Sequence, residues 1–385
     1  MQTKNLQLDN FNKKKKSFLI KKYLKKILNE KNHVIDSLQN SYKDKYNKKI
    51  ISKYKKYKNI SIIGMGGSIL GSKAIYNFLY NKIKKKFFFI DNLKKEKFET
   101  KFKEKKLNLI ISKSGNTLET LSNANILIKK KDKNLFITDN KQSYLMTLAK
   151  KLKAEIIHHN DFIGGRYSVL SEVGMLPAEL MNLKKNKFKR FNTLIKNKSF
   201  LNSLVLNVSN TLSLLNKKKY NSIILNYDER SSDLFYWYQQ LIAESLGKKG
   251  KGILPVVSLM PRDNHSLMQL YLDGLKNNFF TFFFVKDEQK NKIQGLNLMD
   301  SHFYLKGKSF NKILEAQYFA TKKIFKKKKI PFRSFYVKKR NEESLGELFT
   351  FFILETILLS KVMKVNAYDQ PAVEKIKQET KINLL

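Results

Sequence analysis

The sequence predicts an α/β protein in which parallel sheets are covered by helices on both faces, and three observations carry that expectation. Short apolar runs of strand length alternate with helix-period segments from about residue 56 onward, the pattern of βαβ units. Two loops rich in glycine and hydroxyl residues stand where a strand runs into a helix. The alternation then recurs in the second half as a looser echo of the first, without a repeat close enough to count as an internal duplication.

Taken in order, residues 1–55 read as a basic, helical segment with Leu, Ile and Tyr at helical spacing. Strands are expected at 59–63, 86–91, 107–112, 134–139 and 154–158, with helices at 68–82, 117–130 and 142–152. The Lys- and Asn-rich stretch 181–200 marks a boundary. Beyond it strands are expected at 221–226, 253–259, 278–285 and 330–337, and helices at 231–246, 265–274, 309–326 and 343–364. The tail, 366–385, opens with Asp369-Gln370-Pro371, a helix start with proline at its first position. The organisation expected is an N-terminal helical segment (1–55), a first sheet unit (56–200), a second (201–365) and a C-terminal helix (366–385).

Composition bounds the function. At 385 residues the chain can bury two sizeable cores, and 42% hydrophobic content is ordinary. There is no cysteine, hence no disulfide framework and no thiol nucleophile, which fits a reducing compartment. The Lys-rich N-terminus lacks a long apolar run, so no signal peptide is evident. The most apolar late stretch, Leu345 to Val365, is interrupted by Glu347, Glu355 and Lys361 and reads as a buried helix, not a membrane span. The formal charge of +45 invites a nucleic-acid partner, but the lysines are spread over the whole chain in short runs such as Lys13–Lys16 and Lys326–Lys329. They read as solvated surface that can steer an anionic substrate. Arginine occurs only at 166, 190, 230, 262, 333 and 340, which singles out Arg166 and Arg262 in their motif-like loops.

The loop Ser112-Lys113-Ser114-Gly115-Asn116-Thr117 follows a strand-like run and precedes a helix. Helix N-termini offer unpaired N–H groups and partial positive charge, hydroxyls add donors, and Gly115 permits a tight turn. A plain Ser/Thr helix cap is the commonplace alternative; three hydroxyls within six residues favour phosphate. The upstream loop, Gly64-Met65-Gly66-Gly67-Ser68, reads as a second phosphate cradle using Gly67 and Ser68. A dinucleotide fingerprint competes there, with Asp91 as its ribose acid, but Ile69 occupies the third small-residue position.

Four further motifs carry possible chemistry. Gly164-Gly165-Arg166-Tyr167-Ser168 allows close backbone approach and is expected to leave the guanidinium exposed. Gln240 and Glu244 share one face of a helix. His265, one of five histidines, lies in Asp263-Asn264-His265-Ser266 where a helix opens. Gln370 and Lys377 stand two turns apart. Taken singly, Glu244 reads as a solvated helix residue, His265 as a capping or surface histidine and Lys377 as one more surface lysine. His158 and His159 are adjacent on a strand, so they face opposite ways and form no metal cluster.

As a set and in this order, the motifs resemble the glucose-6-phosphate isomerase family over roughly Ser61 to Lys377. Asp161–Ser168 and Asn366–Lys377 are similar to its two hallmark stretches, with Glu172 where a small residue is usual and Ala372 where glycine is usual. The resemblance implies two SIS-type, doubly wound three-layer domains with helical extensions. It also implies a cytoplasmic homodimer that interconverts glucose 6-phosphate and fructose 6-phosphate without metal or organic cofactor. By motif position, Gly67, Ser68, Ser112, Lys113, Ser114 and Thr117 would hold the phosphate, and Gln240 and Gln370 would contact sugar or phosphate. Glu244 would be the base, Arg166 would stabilise the intermediate, and His265 with Lys377 would open the ring, His265 coming from the neighbouring subunit. The residue types suit proton transfer between C2 and C1: one base, a fixed cation for the enediolate and an acid near neutral pH. An isomerase that also takes mannose 6-phosphate, and a non-catalytic SIS-domain sensor of sugar phosphates, are the alternatives. Neither a nucleic acid nor a membrane is expected as a partner.

Overall fold

Two five-stranded sheets organise the chain. The computed structural model describes residues 1–11, 17–93, 106–129, 132–287, 291–296 and 298–385, so the Lys13–Lys16 run lies outside the described residues. The N-terminal segment holds β1 (Leu6–Asp9), α1 (Phe18–Asn29), α2 (His33–Ser37) and α3 (Lys48–Tyr54). The first sheet and its helices follow as β2 (Asn59–Gly64), α4 (Leu70–Phe78), β3 (Lys86–Ile90), β4 (Lys106–Ile111), α5 (Leu118–Leu127), β5 (Lys133–Thr138), α6 (Tyr144–Lys151) and β6 (Glu155–His158). Its order is β3-β2-β4-β5-β6, all parallel. α7 (Glu172–Leu180), α8 (Phe191–Leu194) and α9 (Lys198–Leu215) lead to the second set: β7 (Asn221–Asn226), α10 (Ser232–Leu246), β8 (Leu254–Leu259), α11 (Met268–Asp273), β9 (Asn278–Val285), α12 (Phe310–Lys327), β10 (Phe332–Val337) and α13 (Glu342–Met363). α14 (Ala372–Ile382) ends the chain.

The central strands β2, β4, β5, β7, β9 and β10 match the expected apolar runs because they are buried on both faces. β9, NFFTFFFV, is buried at every residue and lies at the centre of its sheet, where a continuous apolar run belongs. The expectation for the N-terminal segment is corrected. The N-terminal segment is not helical throughout: β1 pairs antiparallel with β10, giving the second sheet the order β1-β10-β9-β7-β8. Leu6 and Leu8 point into the core while Gln7 and Asp9 face solvent, the period-2 pattern of an edge strand. The helix expected over 68–82 is broken into α4 flanked by two 3-10 turns, because Ile69 and Leu79 leave helical geometry.

α13 is the buried central helix foreseen for 345–365. The two interrupting acids find partners: Glu355 pairs with Arg333, which also donates to Asn207 and Tyr238, and Glu347 accepts hydrogen bonds from Thr3 and Asn5. Those last two bonds tie the N-terminus to the core. Among the described residues no helix is long and apolar enough to cross a membrane.

Candidate active site

Both hydroxyl-rich loops lie at the carboxyl ends of β2 and β4, neighbouring strands whose following helices start there. This is the crevice at which open α/β sheets take ligands. The loop after β4 turns at Gly115, φ +64°, where a Cβ would fall 2.1 Å from Ser143 Oγ. Thr117 occupies the N-cap position of α5, yet its hydroxyl caps nothing; it lies 2.9 Å from Ser112 Oγ. The helix N-terminus therefore stays open, against the plain-cap alternative. Ser114 is exposed at the loop tip. Lys113 Nζ donates to the Asp161 carbonyl at 2.5 Å, clamping its loop to the Arg166 loop, and its burial lowers the ammonium pKa from the usual lysine value.

The loop after β2 is built for close approach. A Cβ on Gly66 would meet Gln240 Nε2 at 2.7 Å, and one on Gly67 would fall 2.1 Å from the Gly165 carbonyl carbon. The glycines thus let this loop lie against both α10, which carries Gln240 and Glu244, and the arginine turn. The dinucleotide reading loses its acid: Asp91 is held by Lys73 at 2.7 Å, and Lys73 also reaches Asp233 at 3.4 Å.

Arg166 is the hub, and its placement corrects the expectation of an exposed fork. It sits in a 3-10 turn (Gly165–Leu170) and is 3% exposed. Nε donates to Ser245 Oγ (2.9 Å), Nη1 to Glu244 Oε2 (3.1 Å) and Gln370 Oε1 (2.7 Å), and Nη2 to the carbonyls of Ala367 (2.7 Å) and Asp369 (2.9 Å). All five N–H donors are used. The physical reason for burial is the 366–370 segment, which folds over the fork and supplies two carbonyls and an amide oxygen. Lys248 holds that segment through Asp369 (2.7 Å). Trp237 Nε1 donates to the Arg166 carbonyl at 3.1 Å and fixes the backbone from below.

Glu244 is partly exposed on α10, one carboxylate oxygen on Arg166 and the other accepting from Gln240 Nε2 at 2.9 Å. Gln240 Oε1 is buried and has no hydrogen-bond partner among the described residues, an acceptor left facing the site. The structure thus joins Arg166, Gln240, Glu244 and Gln370 beside the two hydroxyl-rich loops. It does not bring in His265 or Lys377. His265 is exposed in the turn Arg262–His265, where Arg262 pairs with Asp263. Lys377 lies on α14, a helix with no buried residue, and pairs with Glu374 at 3.0 Å.

Sequence reasoning missed Ser245, Trp237, Lys248 and the carbonyls of Ala367 and Asp369. Ser245, adjacent to Glu244 inside a motif, was the one with a signal; Lys248 looks like any other lysine.

The model of the family "Phosphoglucose isomerase" matches residues 13–254. Glucose-6-phosphate isomerase of Methanocaldococcus jannaschii is 32% identical over 347 residues, 85% of either chain. Among solved structures, a hypothetical protein from Thermus thermophilus superposes with a TM-score of 0.82 at 23% identity, covering 95% of this chain and 94% of that one. A glucose-6-phosphate isomerase from Chlamydia trachomatis superposes with a TM-score of 0.68 at 18% identity, covering 91% and 78%. At these identities the two structures speak to the fold.

Proposed function

The chain belongs to the phosphoglucose isomerase family, and we propose that the Arg166–Glu244 cluster and the two hydroxyl-rich loops are the machinery with which it interconverts glucose 6-phosphate and fructose 6-phosphate. The observation that carries the reading is the single guanidinium that binds the Glu244 carboxylate and the Gln370 amide at the mouth of two open phosphate loops.

The phosphate sits on the α5 N-terminus with the hydroxyls of Ser112, Ser114 and Thr117, and on the Gly67–Ser68 backbone and hydroxyl. Lys113 adds charge beside them. Glu244 takes the proton from C2 of the open-chain aldose and returns it to C1 of the cis-enediolate. Arg166 offsets the enediolate charge by its field while its bonds hold the carboxylate and Gln370 in place. Gln240 Oε1, buried and unpartnered, accepts from a sugar hydroxyl. Ring opening falls to His265 and Lys377, which stand outside the cluster. A homodimer in which His265 reaches the neighbouring subunit's site, and inward closure of α14, are the moves that complete it. The proton transfer calls for neither metal nor organic cofactor, and we read the protein as a cytoplasmic enzyme of glycolysis and gluconeogenesis.

The test is a coupled assay of the purified protein with fructose 6-phosphate, run with and without a chelator. Equal formation of glucose 6-phosphate in both is expected. No turnover overturns the reading, and turnover lost to the chelator overturns its metal-free chemistry.

A further inference from the structure

Behind the Arg166 turn lies a buried polar cluster that the reaction does not use. It centres on Glu172, the residue that departs from the family's hallmark stretch, and on His159. Glu172 is fully buried at the first position of α7, and His159 is 4% exposed just past the end of β6. The two bracket residues 160–171, the excursion that carries Arg166. Their side chains meet across its base: His159 Nδ1 lies 2.6 Å from Glu172 Oε1.

Both residues also grip the excursion itself. His159 Nε2 donates to the Ile163 carbonyl at 2.9 Å, and Glu172 Oε1 accepts the Asn160 N–H at 2.9 Å. Glu172 Oε2 accepts from the Tyr42 hydroxyl at 3.0 Å, so the N-terminal segment is tied to the same point. Lys189, buried in the same cluster, donates to the Leu170 carbonyl at the end of the arginine turn. Burial alone would raise the Glu172 carboxyl; the bonds from His159 and Asn160 outweigh it and hold the group below the ordinary carboxylate range. A small side chain at 172 could make none of these bonds.

We propose that Glu172 and His159 are positioning residues that staple the 160–171 excursion and so set where the Arg166 guanidinium stands against Glu244. The inference rests on the proposed function for its kinetic readout, but not for its spectroscopic one. Trp237 is the sole tryptophan of the chain, is fully buried, and donates its Nε1–H to the Arg166 carbonyl. Its emission therefore reports the position of the arginine turn in the folded protein.

The experiment uses the full-length chain with Glu172→Ala and Glu172→Gln. For Glu172→Ala, kcat on fructose 6-phosphate is expected to fall about 10- to 100-fold, the scale of a misplacement near 1 Å. KM should change less than kcat, because Ser112, Ser114, Thr117 and the α5 N-terminus are carried by β4 and α5, although Lys113 and Gly67 touch the excursion. Trp237 emission should shift in the folded state. Glu172→Gln, which retains hydrogen-bonding capacity without the charge, should recover most of the kcat and the emission. A Glu172→Ala protein that melts earlier but keeps wild-type kcat and Trp237 emission overturns the proposal, because that is what a purely stabilising role gives. If Glu172→Ala does not fold, Tyr42→Phe removes one bond from the same carboxylate; a few-fold loss of kcat with a smaller Trp237 shift is expected, and no change in either overturns the proposal. A wild type that does not turn over fructose 6-phosphate fails the functional reading alone, and the Trp237 comparison still decides this one.

Discussion

The carboxyl ends of β2 and β4 and those of β7 and β9 occupy the same place in their sheets. β2 and β7 each lie between the next strand on one side (β3, β8) and the one after it on the other (β4, β9). The first crevice is lined by Gly66, Gly67, Ser68, Ser112, Ser114 and Thr117, and its α5 N-terminus is uncapped. The second holds Asp228, Glu229, Arg230 and Asp287 around a cavity of about 250 Å³. There Arg340 donates Nε to both oxygens of Asp287 at 2.9 Å and Nη2 to Asp287 at 2.6 Å and Asp228 at 2.7 Å. One topology thus yields an uncapped, hydroxyl-lined helix start in the first sheet and a closed ion cluster in the second. The difference lies in the loop residues, not in the sheets, and it teaches that a doubly wound crevice is only an opportunity. Carboxylates repel a phosphate where hydroxyls and free N–H groups attract it.

If chemistry belongs to the first crevice and its neighbours, the largest expected effect is at Glu244. Glu244→Gln should lower kcat by about two to four orders of magnitude, the usual share of a general base. KM should change little, since the phosphate contacts remain. A near wild-type kcat would break the assignment.

Next comes Arg166→Lys. An ammonium has three donors on a flexible stem, so it cannot serve the five acceptors that the fork reaches. The charge survives but the geometry does not. We expect kcat to fall by about two to three orders of magnitude with much smaller change in KM, measured on folded protein with association state checked by light scattering. Near-normal kcat would make Arg166 structural and turn attention to Lys377 as the partner of the enediolate.

The second crevice should answer in stability instead. Arg340 also donates to the Phe78 carbonyl at the end of α4 and lies over its ring, so it links the second crevice to the first unit. Arg340→Met leaves Asp228 and Asp287 facing each other without their cation. A loss of about 3 kcal/mol in denaturant unfolding is expected, the scale for breaking a buried pair, with kcat of the folded fraction unchanged. A large fall in kcat with unaltered stability would erase the contrast between the crevices.

How much of this was legible varies by physical cause. β7 and β9 lie at the residues expected, because strands buried on both faces write long apolar runs. β1 did not show, since its four alternating residues sit in a lysine-rich segment and its pairing depends on β10, more than three hundred residues away. The alternation of His158 and His159 was legible: one is exposed and the other buried. That the buried one meets Glu172 was not, because the contact is made by a loop doubling back. Arg166 was singled out by its rarity and its glycines, but its burial depends on carbonyls of residues 367 and 369, which carry no side-chain signature. The placement of the two hydroxyl-rich loops at strand-to-helix turns was the most legible part, because hydroxyls, glycine and a helix start are consecutive in sequence.

The smallest expected effect sharpens the comparison most directly. Ser114→Ala with Thr117→Ala removes two hydroxyls from the first crevice and leaves the backbone N–H groups of α5. Each net hydrogen bond to a charged group is worth roughly 1.5 to 3 kcal/mol, but water and the remaining donors recover part of it. KM for fructose 6-phosphate should therefore rise about tenfold, the equivalent of one such bond's lower bound, while kcat stays within a few-fold. Arg230→Ala is the matched change in the second crevice. It deletes a cation from the topologically equivalent place, so it should leave KM unchanged if no phosphate binds there. Neutralising Lys13 to Lys16 should likewise do little, apart from a modest, salt-dependent loss of steering. If Arg230→Ala raised KM and the double alanine did not, the two crevices would have to exchange roles, and the hydroxyl-rich loops would be helix starts of no special use.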